Sequence, residues 1–476
     1  MILDDVISGP IAAIGVVIIL YILLINSVYL VLTLVGIQHT RSQQEQEAYE
    51  PAGLINSNQF LPEIAVVVPA YNEEAVIVDS VQALLSLDYP HYEIIVVNDG
   101  STDGTLDRLV SAYGLEQVAA SVPIDVQCDG PVRDVYRSPD RDLVVIDKEN
   151  SDGGKADALN AGLFFTEKPL FCAIDADSLM ERDALRKVVE PFVMEPRKTV
   201  ATGGTVRIAN EISFERGRPA SVNLPKNWLV RFQVVEYLRA FFIGRTGLDR
   251  IGSLLIISGA FGLFKTDALR AVGGYDTSCV TEDMEIVMRL HRHFIEKDKQ
   301  YEMTFLSFPV VWTEAPTSVP VLASQRQRWF SGLVDTLIKY RGLLFRPKYG
   351  TIGLVALPLF LIVEMFGRLV EGIGYLFFFF GIVLGLFSIP AYLFLIVSIG
   401  YGSILTATAV YGEVLTYRQY EDPVEILLLL CFAVLENVIY RPMRALFAWQ
   451  GLKNHITGDT SWGVMEREGF GENSDQ

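Results

Sequence analysis

Histidine and cysteine are scarce in this chain, and positive charge is outnumbered. Five histidines and four cysteines are spread over 476 residues. The cysteines, at positions 128, 172, 279 and 431, form no CxxC or other ligand spacing. Neither a zinc site nor a disulfide framework is therefore expected, and four small buried hydrophobes are the plain alternative. Lysine and arginine number 39 against 57 aspartates and glutamates, for a net charge of −18. Gripping nucleic acid needs a basic surface, so that class of partner is excluded. The acidity fits a salty cytoplasm equally well. A local anion site stays open, because a metal and a few cations suffice for one. The GxxxxGK[ST] spacing of a phosphate loop is also missing.

Half of the residues are hydrophobic, and they are unevenly placed. Ile11 to Ile37 carries no charge and exceeds the roughly 20 residues that cross a bilayer as a helix. A cleaved signal peptide would want a basic start and a shorter apolar core. Here Asp4 and Asp5 precede the run, which points to a retained anchor with His39 and Arg41 on the inner side. Apolar character returns after Gly350. Ile373 to Phe387 and Ala391 to Val410 read as spans separated by Pro390. Glu425 to Trp449 is a weaker candidate, broken by Glu436, Arg441 and Pro442. Thr351 to Gly372 holds Glu364, Arg368 and Glu371 at i,i+4 and i,i+3 spacing, so these charges can pair along one helical face. An interfacial helix is preferred there over one lining a polar path.

The middle of the chain alternates strand and helix signals. "IAVVVPA" (64–70), "EIIVVND" (93–99), "DLVVID" (142–147) and "LFCAID" (170–175) suit strands buried on both faces of a parallel sheet. Helical stretches are expected at Glu74–Leu87, Asp103–Tyr113 and Lys155–Phe165. Such alternation implies βαβ units in a doubly wound α/β sheet, whose ligands bind at the carboxyl ends of the strands. All four runs end there in polar or charged residues.

Each motif at that edge has a chemical and a plain reading. Asp175 and Asp177 follow a strand, and an extended chain would point both carboxylates to one side. A hard divalent cation, Mg²⁺ or Mn²⁺, relieves their repulsion. Alternatively Asp177 or Ser178 caps a helix "LMERDALRKVVEPF". In "VVNDGSTDGT" (96–105), Asp99 suits a ribose or a base, or Ser101 and Thr102 merely cap the next helix. In "GGKADALNAGL" (153–163), Lys155 stands at a helix start, where an ammonium and backbone N–H groups converge on a phosphate. A solvated turn lysine is the alternative. "VTEDMEIVMRLHRH" (280–293) places Asp283 at the start of a packed helix, as a candidate base for an alcohol, with Thr281 as a possible cap. "QRQRWFSGL" (325–333) sets Gln325, Arg328 and Trp329 on one helix. Arginine suits a diphosphate, and tryptophan the flat face of a sugar. A surface helix with one buried aromatic would look the same.

The order of these motifs says more than any one of them. "PAYNEE" (69–74), "NDGSTDGT", "GKADALNAG", "DAD", "SGAFGLF" (258–264), "TED" and "QRQRW" follow one another as in family 2 glycosyltransferases. The chain resembles their membrane-embedded processive branch, the cellulose, chitin, hyaluronan and poly-N-acetylglucosamine synthases. The resemblance is detailed over roughly residues 62 to 340. It implies a cytosolic GT-A fold flanked by transmembrane and interfacial helices. Asp99, with Tyr71 and Glu73, would hold the uridine of a UDP-sugar. Lys155 would contact the diphosphate. Asp175 would sit by the nucleotide, and Asp177 would bind the metal most directly. Asp283 would be the catalytic base. Gln325 and Arg328 would reach the diphosphate, and Trp329 would face the acceptor sugar.

This reading divides the chain into an N-terminal anchor (1–40), a linker (41–61), a cytosolic glycosyltransferase domain (62–345), membrane or interfacial helices (346–450) and a polar tail (451–476) with Trp462. "SGAF" replaces the FCGS-like signal of cellulose synthases and leans toward the N-acetylglucosamine branch. A PilZ-like domain for a cyclic dinucleotide is not expected. Three functions remain: a processive β-glycan polymerase in the cell membrane, a transferase of single sugars to a lipid carrier, and a silent sugar-nucleotide scaffold. The acceptor is accordingly a glycan or a lipid-linked sugar, in contact with membrane lipid, and accessory subunits stay open.

Overall fold

Runs of valine and isoleucine with apolar side chains on both faces are stable only inside a sheet that is covered on both sides. A computed structural model of the chain, which describes residues 2–49, 58–118, 128–215, 218–385, 389–417 and 419–458, places the four apolar runs in that setting. The strands are β1 (Ile64–Ala70), β2 (Tyr92–Asn98), β3 (Glu116–Val118), β4 (Val132–Arg137), β5 (Leu143–Lys148) and β6 (Leu170–Ile174). They continue as β7 (Ser178–Met180), β8 (Thr199–Ile208), β9 (Ser213–Glu215), β10 (Arg218–Ser221), β11 (Phe261–Lys265) and β12 (Glu302–Thr313). Among the described residues one ten-stranded sheet has the order β3-β4-β5-β2-β1-β6-β11-β8-β12-β7, and β9 pairs with β10 apart from it.

The core β5-β2-β1-β6 is parallel, with Ile64 opposite Tyr92 on one side and Leu170 on the other. β4 and β11 join antiparallel, so the sheet is mixed beyond the four strands the sequence marks. Helix Gly154–Phe165 crosses this core and buries Ala156 to Leu163. Its close approach needs a bare backbone at Gly162, because a Cβ there would lie 2.4 Å from Val67 Cγ1.

The chain forms two compact units. The sheet unit comprises Ser42–Asn223 and Gly252–Ala315, and the helical unit Met1–Arg41, Leu224–Ile251 and Pro316–Val464, within the described residues. Helices Trp228–Arg239 and Val319–Lys339 therefore cluster with the helical unit, whereas the sequence reading put them in one domain of residues 62–345. Their apolar faces explain it. Leu229, Phe232 and Leu322 pack with Tyr440 and Phe447, and Phe330 and Val334 pack with Leu369 and Ala448.

Among the described residues, four helices, all in the helical unit, are long and apolar enough to cross a membrane: Ala13–Thr40, Ile352–Val383, Leu395–Gly412 and Pro423–Thr457. Two differ from the sequence reading. Thr351–Gly372 does not form a separate interfacial helix but continues into the next span. The broken candidate Glu425–Trp449 is one continuous helix, whose wider turn at Glu436–Tyr440 precedes Pro442. In both, charges that would forbid a lipid-facing helix are paired inside the unit. Arg368 holds Glu364 at 2.9 Å, Tyr29 donates to Glu364 at 2.7 Å, and Arg239 holds Glu436 at 2.8 Å. Residues 386–388, 459–476 with Trp462, and 50–57 of the linker lie outside the described residues.

Candidate active site

The carboxyl ends of β1, β2, β5 and β6 carry most of the residues singled out in the sequence. Asp99 directly follows β2 and is almost fully buried. Its carboxylate accepts from Lys148 Nζ and, at 2.7 Å, from Ser151 Oγ. Lys148, the last residue of β5, is completely buried and also holds Asp157 at 2.7 Å. Burial pushes the Asp99 carboxyl up, against the pull of Lys148. Burial would lower the Lys148 ammonium, but its hydrogen bonds to Asp157 and Asp99 raise it instead. Lys148 and Asp157 escaped the sequence reading. The sole hint was a lysine at the end of a strand that begins with four apolar residues.

The turn after β2 is locked onto the loop after β1. Asn72 stands in the left-handed region at φ 56° and accepts from Thr102 N–H at 2.8 Å, while Ser101 Oγ accepts from Asn72 N–H at 3.0 Å. Ser101 and Thr102 therefore do not cap the next helix. The cap position is Gly104, without a side-chain bond, and Asp103 before it accepts from Thr105 N–H at 3.0 Å. Gly100 is required at φ 68°, because a Cβ would lie 2.6 Å from the Asn150 backbone. Of the expected uridine contacts, Tyr71 is 49% exposed and Glu73 is buried. Glu73 N–H donates to Thr105 Oγ1 at 2.9 Å.

Asp175 and Asp177 do not sit on extended chain. Ser178 N–H donates to Asp175 O at 3.1 Å, so Asp175 opens a tight turn and Asp177 lies inside it. Beyond it, Ser178–Met180 is strand β7, paired with Val311–Thr313, and the helix begins only at Ala184. Long-range pairing has overridden the local helical look of "LMERDAL". Lys155 Nζ lies 2.5 Å from Asp175, 3.2 Å from Glu282 and 3.0 Å from Gly259 O. It starts its helix behind Gly153 and Gly154, both at positive φ, as a glycine-bounded helix entrance requires. Burial alone would lower its ammonium, but Asp175 and Glu282 raise it.

Asp283 lies in the first turn of helix Glu282–Glu296. Its two oxygens accept from Gly259 N–H at 3.0 Å and Met284 N–H at 2.8 Å. Thr281 precedes the helix but makes no side-chain capping bond. The "SGAF" turn thus lies against both the lysine and the candidate base. A Cβ at Gly259 would meet Lys155 Nζ at 3.2 Å, Glu282 at 3.4 Å and Asp283 at 3.5 Å. Met284, Ile286, Val287 and Leu290 are buried, as their spacing predicts.

The acidic pair fits a hard divalent ion. Burial, and then the charge of Asp175, push Asp177 up to about 7. Two carboxylates so placed do not both ionise readily unless a cation joins them. Among the described residues no group of three or more His, Cys, Asp or Glu side chains stands ready to hold a metal. The pair therefore suits an ion that takes its other ligands from phosphate and water, as Mg²⁺ and Mn²⁺ do.

Gln325, Arg328 and Trp329 belong to the helical unit, on helix Val319–Lys339. The C-terminal helix Arg441–Thr457 is bolted to that helix. Gln327 Nε2 donates to Gln450 Oε1 at 2.8 Å, Asn454 Nδ2 donates to Gln327 Oε1 at 3.2 Å, and His455 meets Asp335 at 2.9 Å. A Cβ at Gly451 would lie 2.6 Å from the backbone oxygen of Gln327, so the two helix backbones approach closely there. Trp329 is 44% exposed.

Comparison with known proteins gives the family. The description "glycosyltransferase like family 2" matches residues 62–332. A poly-beta-1,6-N-acetyl-D-glucosamine synthase of Staphylococcus epidermidis is 28% identical over 284 residues, which cover 60% of this chain and 58% of that protein. The synthase of the same name from Staphylococcus aureus is 28% identical over 276 residues, covering 58% and 56%. The chain thus spans a little over half the length of these relatives. A mannosyltransferase from Pyrobaculum calidifontis, solved in complex with GDP-Man and Mn²⁺, shares the fold at a TM-score of 0.52 and 17% identity, covering 89% of this chain and 99% of its own. With more than half of its length matched by the family, the chain belongs to the family 2-like glycosyltransferases of GT-A fold.

Proposed function

We propose that this protein is a membrane-bound inverting glycosyltransferase. It passes N-acetylglucosamine or glucose from a UDP-sugar to the end of a growing β-glycan, with the sheet unit in the cytosol and the product moved across the membrane by the same chain. The observation that carries this reading is Asp283, held by Gly259 N–H on the loop that also binds Lys155. That geometry sets a carboxylate base next to the cation and the acid pair that a diphosphate leaving group needs.

Asp99, Tyr71 and Glu73 hold the uridine, with Lys148 fixing the Asp99 carboxylate. Lys155 turns from its acidic partners toward the diphosphate. Asp177, with Asp175 beside it, would hold the divalent ion, which supplies charge neutralisation on the departing diphosphate. Asp283 takes the proton of the acceptor hydroxyl as that oxygen attacks the anomeric carbon from the face opposite the diphosphate. One displacement turns an α-linked donor into a β-linked product. Gln325 and Arg328 are assigned to the diphosphate, and Trp329 to the acceptor, on the motif order alone. The relatives named as poly-N-acetylglucosamine synthases support the donor and the polymer product.

The test is the purified chain in lipid, offered a panel of UDP-sugars with Mg²⁺ or Mn²⁺, and the product sized. A polymer from UDP-N-acetylglucosamine or UDP-glucose is the expected result. A single sugar on a lipid would replace polymerisation with transfer to a carrier, and no product from any donor would remove the enzymatic reading.

A further inference from the structure

The residue between Gln325 and Gln327 was not among the expected site residues, yet its surroundings are unusual. Arg326 is 5% exposed, on a helix whose neighbouring Trp329 is partly open. One of its nitrogens, Nη2, donates to Glu236 Oε2 at 2.8 Å. Its Nε and Nη1 are buried without a hydrogen-bond partner. What covers the guanidinium is the indole of Trp329, whose ring centre lies 4.0 Å from Arg326 Cζ. A planar cation at that distance lies against the ring face and is attracted by its quadrupole.

Glu236 is itself clamped. Tyr440 donates to it at 2.7 Å, and Arg444 lies 3.1 Å away on the helix bolted to Val319–Lys339. The chain of contacts runs from the C-terminal helix through Glu236 and Arg326 to one face of Trp329. An indole with a fixed cation on one face has one orientation and one face left for a ligand.

We propose that Arg326 is a positioning residue for Trp329. Anchored by Glu236, it covers one face of the indole and sets the plane on which the acceptor sugar stacks. This rests on the reading of Trp329 as the acceptor platform. Because breaking a buried ion pair endangers the fold, the test uses Arg326→Lys, which keeps a cation for Glu236 but loses the flat guanidinium. Full-length protein labelled with 5-fluorotryptophan is placed in lipid nanodiscs, with Trp329→Phe to assign the resonance.

Arg326→Lys is expected to shift and broaden the Trp329 fluorine signal alone. It should also divert donor from transfer to hydrolysis about tenfold, with the KM for UDP-N-acetylglucosamine unchanged. Arg326→Lys with Trp329→Phe should be no worse than Trp329→Phe alone. An unmoved Trp329 resonance overturns the proposal, as does a moved resonance with unaltered partition. If Trp329→Phe itself leaves the partition unchanged, the acceptor reading of Trp329 fails, and the role of Arg326 in the reaction falls with it.

Discussion

In the sheet unit the acids around Lys155, at one edge of the sheet, are partly open. In the helical unit the charged groups of interest are guanidiniums closed over glutamates, buried and paired. Asp175 and Lys155 each keep roughly a third of the side chain exposed, whereas Glu436 keeps none. The difference fits the two tasks proposed above. An edge that is to take in an anion with its counter-ion must stay open to the ligand. Helices in a membrane must close every charge on a partner, because lipid offers none.

The largest effect should come from the open edge. Asp283→Asn keeps the shape of the side chain but cannot take a proton. Transfer should fall about 100- to 10,000-fold, with UDP affinity intact. Radiolabelled transfer and calorimetric UDP binding separate the two, and equal loss of both would make Asp283 a structural residue.

Next comes the closed network. Glu236→Ala leaves Arg326 and Arg444 facing each other without their shared acid. The cost should be about 3–5 kcal/mol, the scale for breaking a buried pair. Asp177→Ala, at the half-open edge, should cost far less. Thermal unfolding of both variants in lipid tests the contrast directly. Equal destabilisation would erase the distinction between the two regions.

Much of the open edge was legible in sequence, and little of the closed network was. β1 was readable to the residue because a strand buried on both faces needs an unbroken apolar run, and Ile64–Ala70 is one. Asp99, Lys155, Asp175 and Asp283 were visible because strand and helix ends are marked by local signals. The turn at Asp175–Ser178 was not, because its geometry depends on β7 pairing with distant Val311–Thr313. Lys148 was missed because a terminal lysine normally reaches water, and only the fold reveals Asp157 beneath it. Arg326 and Glu236 lie 90 residues apart, so no spacing rule links them. The pairing of Glu364 with Arg368 was readable, since both lie on one helix.

A third test asks whether the sheet unit tolerates buried ionisation away from its edge. His291 is buried, with Nε2 against Leu254 O and Nδ1 against Tyr301 Oη, both at 2.7 Å. The neutral ring satisfies both contacts by donating to the carbonyl and accepting from the phenol. Burial lowers its pKa to about 4, below the ordinary 6.5. A depressed value means that the stabilising contribution is complete above about 6.5 and is lost as pH falls through about 4. The gap corresponds to about 3 kcal/mol. Denaturant unfolding at pH 7 and pH 4 should show that loss in the parent chain and a smaller one in His291→Gln.

The smallest effect is the most specific to the open edge. Without an ion, the fold holds the Asp177 proton more tightly than the unfolded chain does, because the folded value of about 7 exceeds the ordinary 3.8. That contribution to stability is full below about 4 and disappears as pH climbs through 7. A divalent ion needs the ionised carboxylate, so its binding follows the opposite course. At pH 6 only about a tenth of Asp177 is ionised, against about nine-tenths at pH 8. Mn²⁺ affinity should therefore be about tenfold weaker at pH 6, about 1.4 kcal/mol. The rise in melting temperature on adding Mn²⁺ should be correspondingly larger at pH 8. Asp177→Asn should abolish that pH dependence and leave the His291 transition near pH 4 untouched. If the ion stabilises parent and variant alike at both pH values, it binds elsewhere, and the acid pair answers to Lys155 alone.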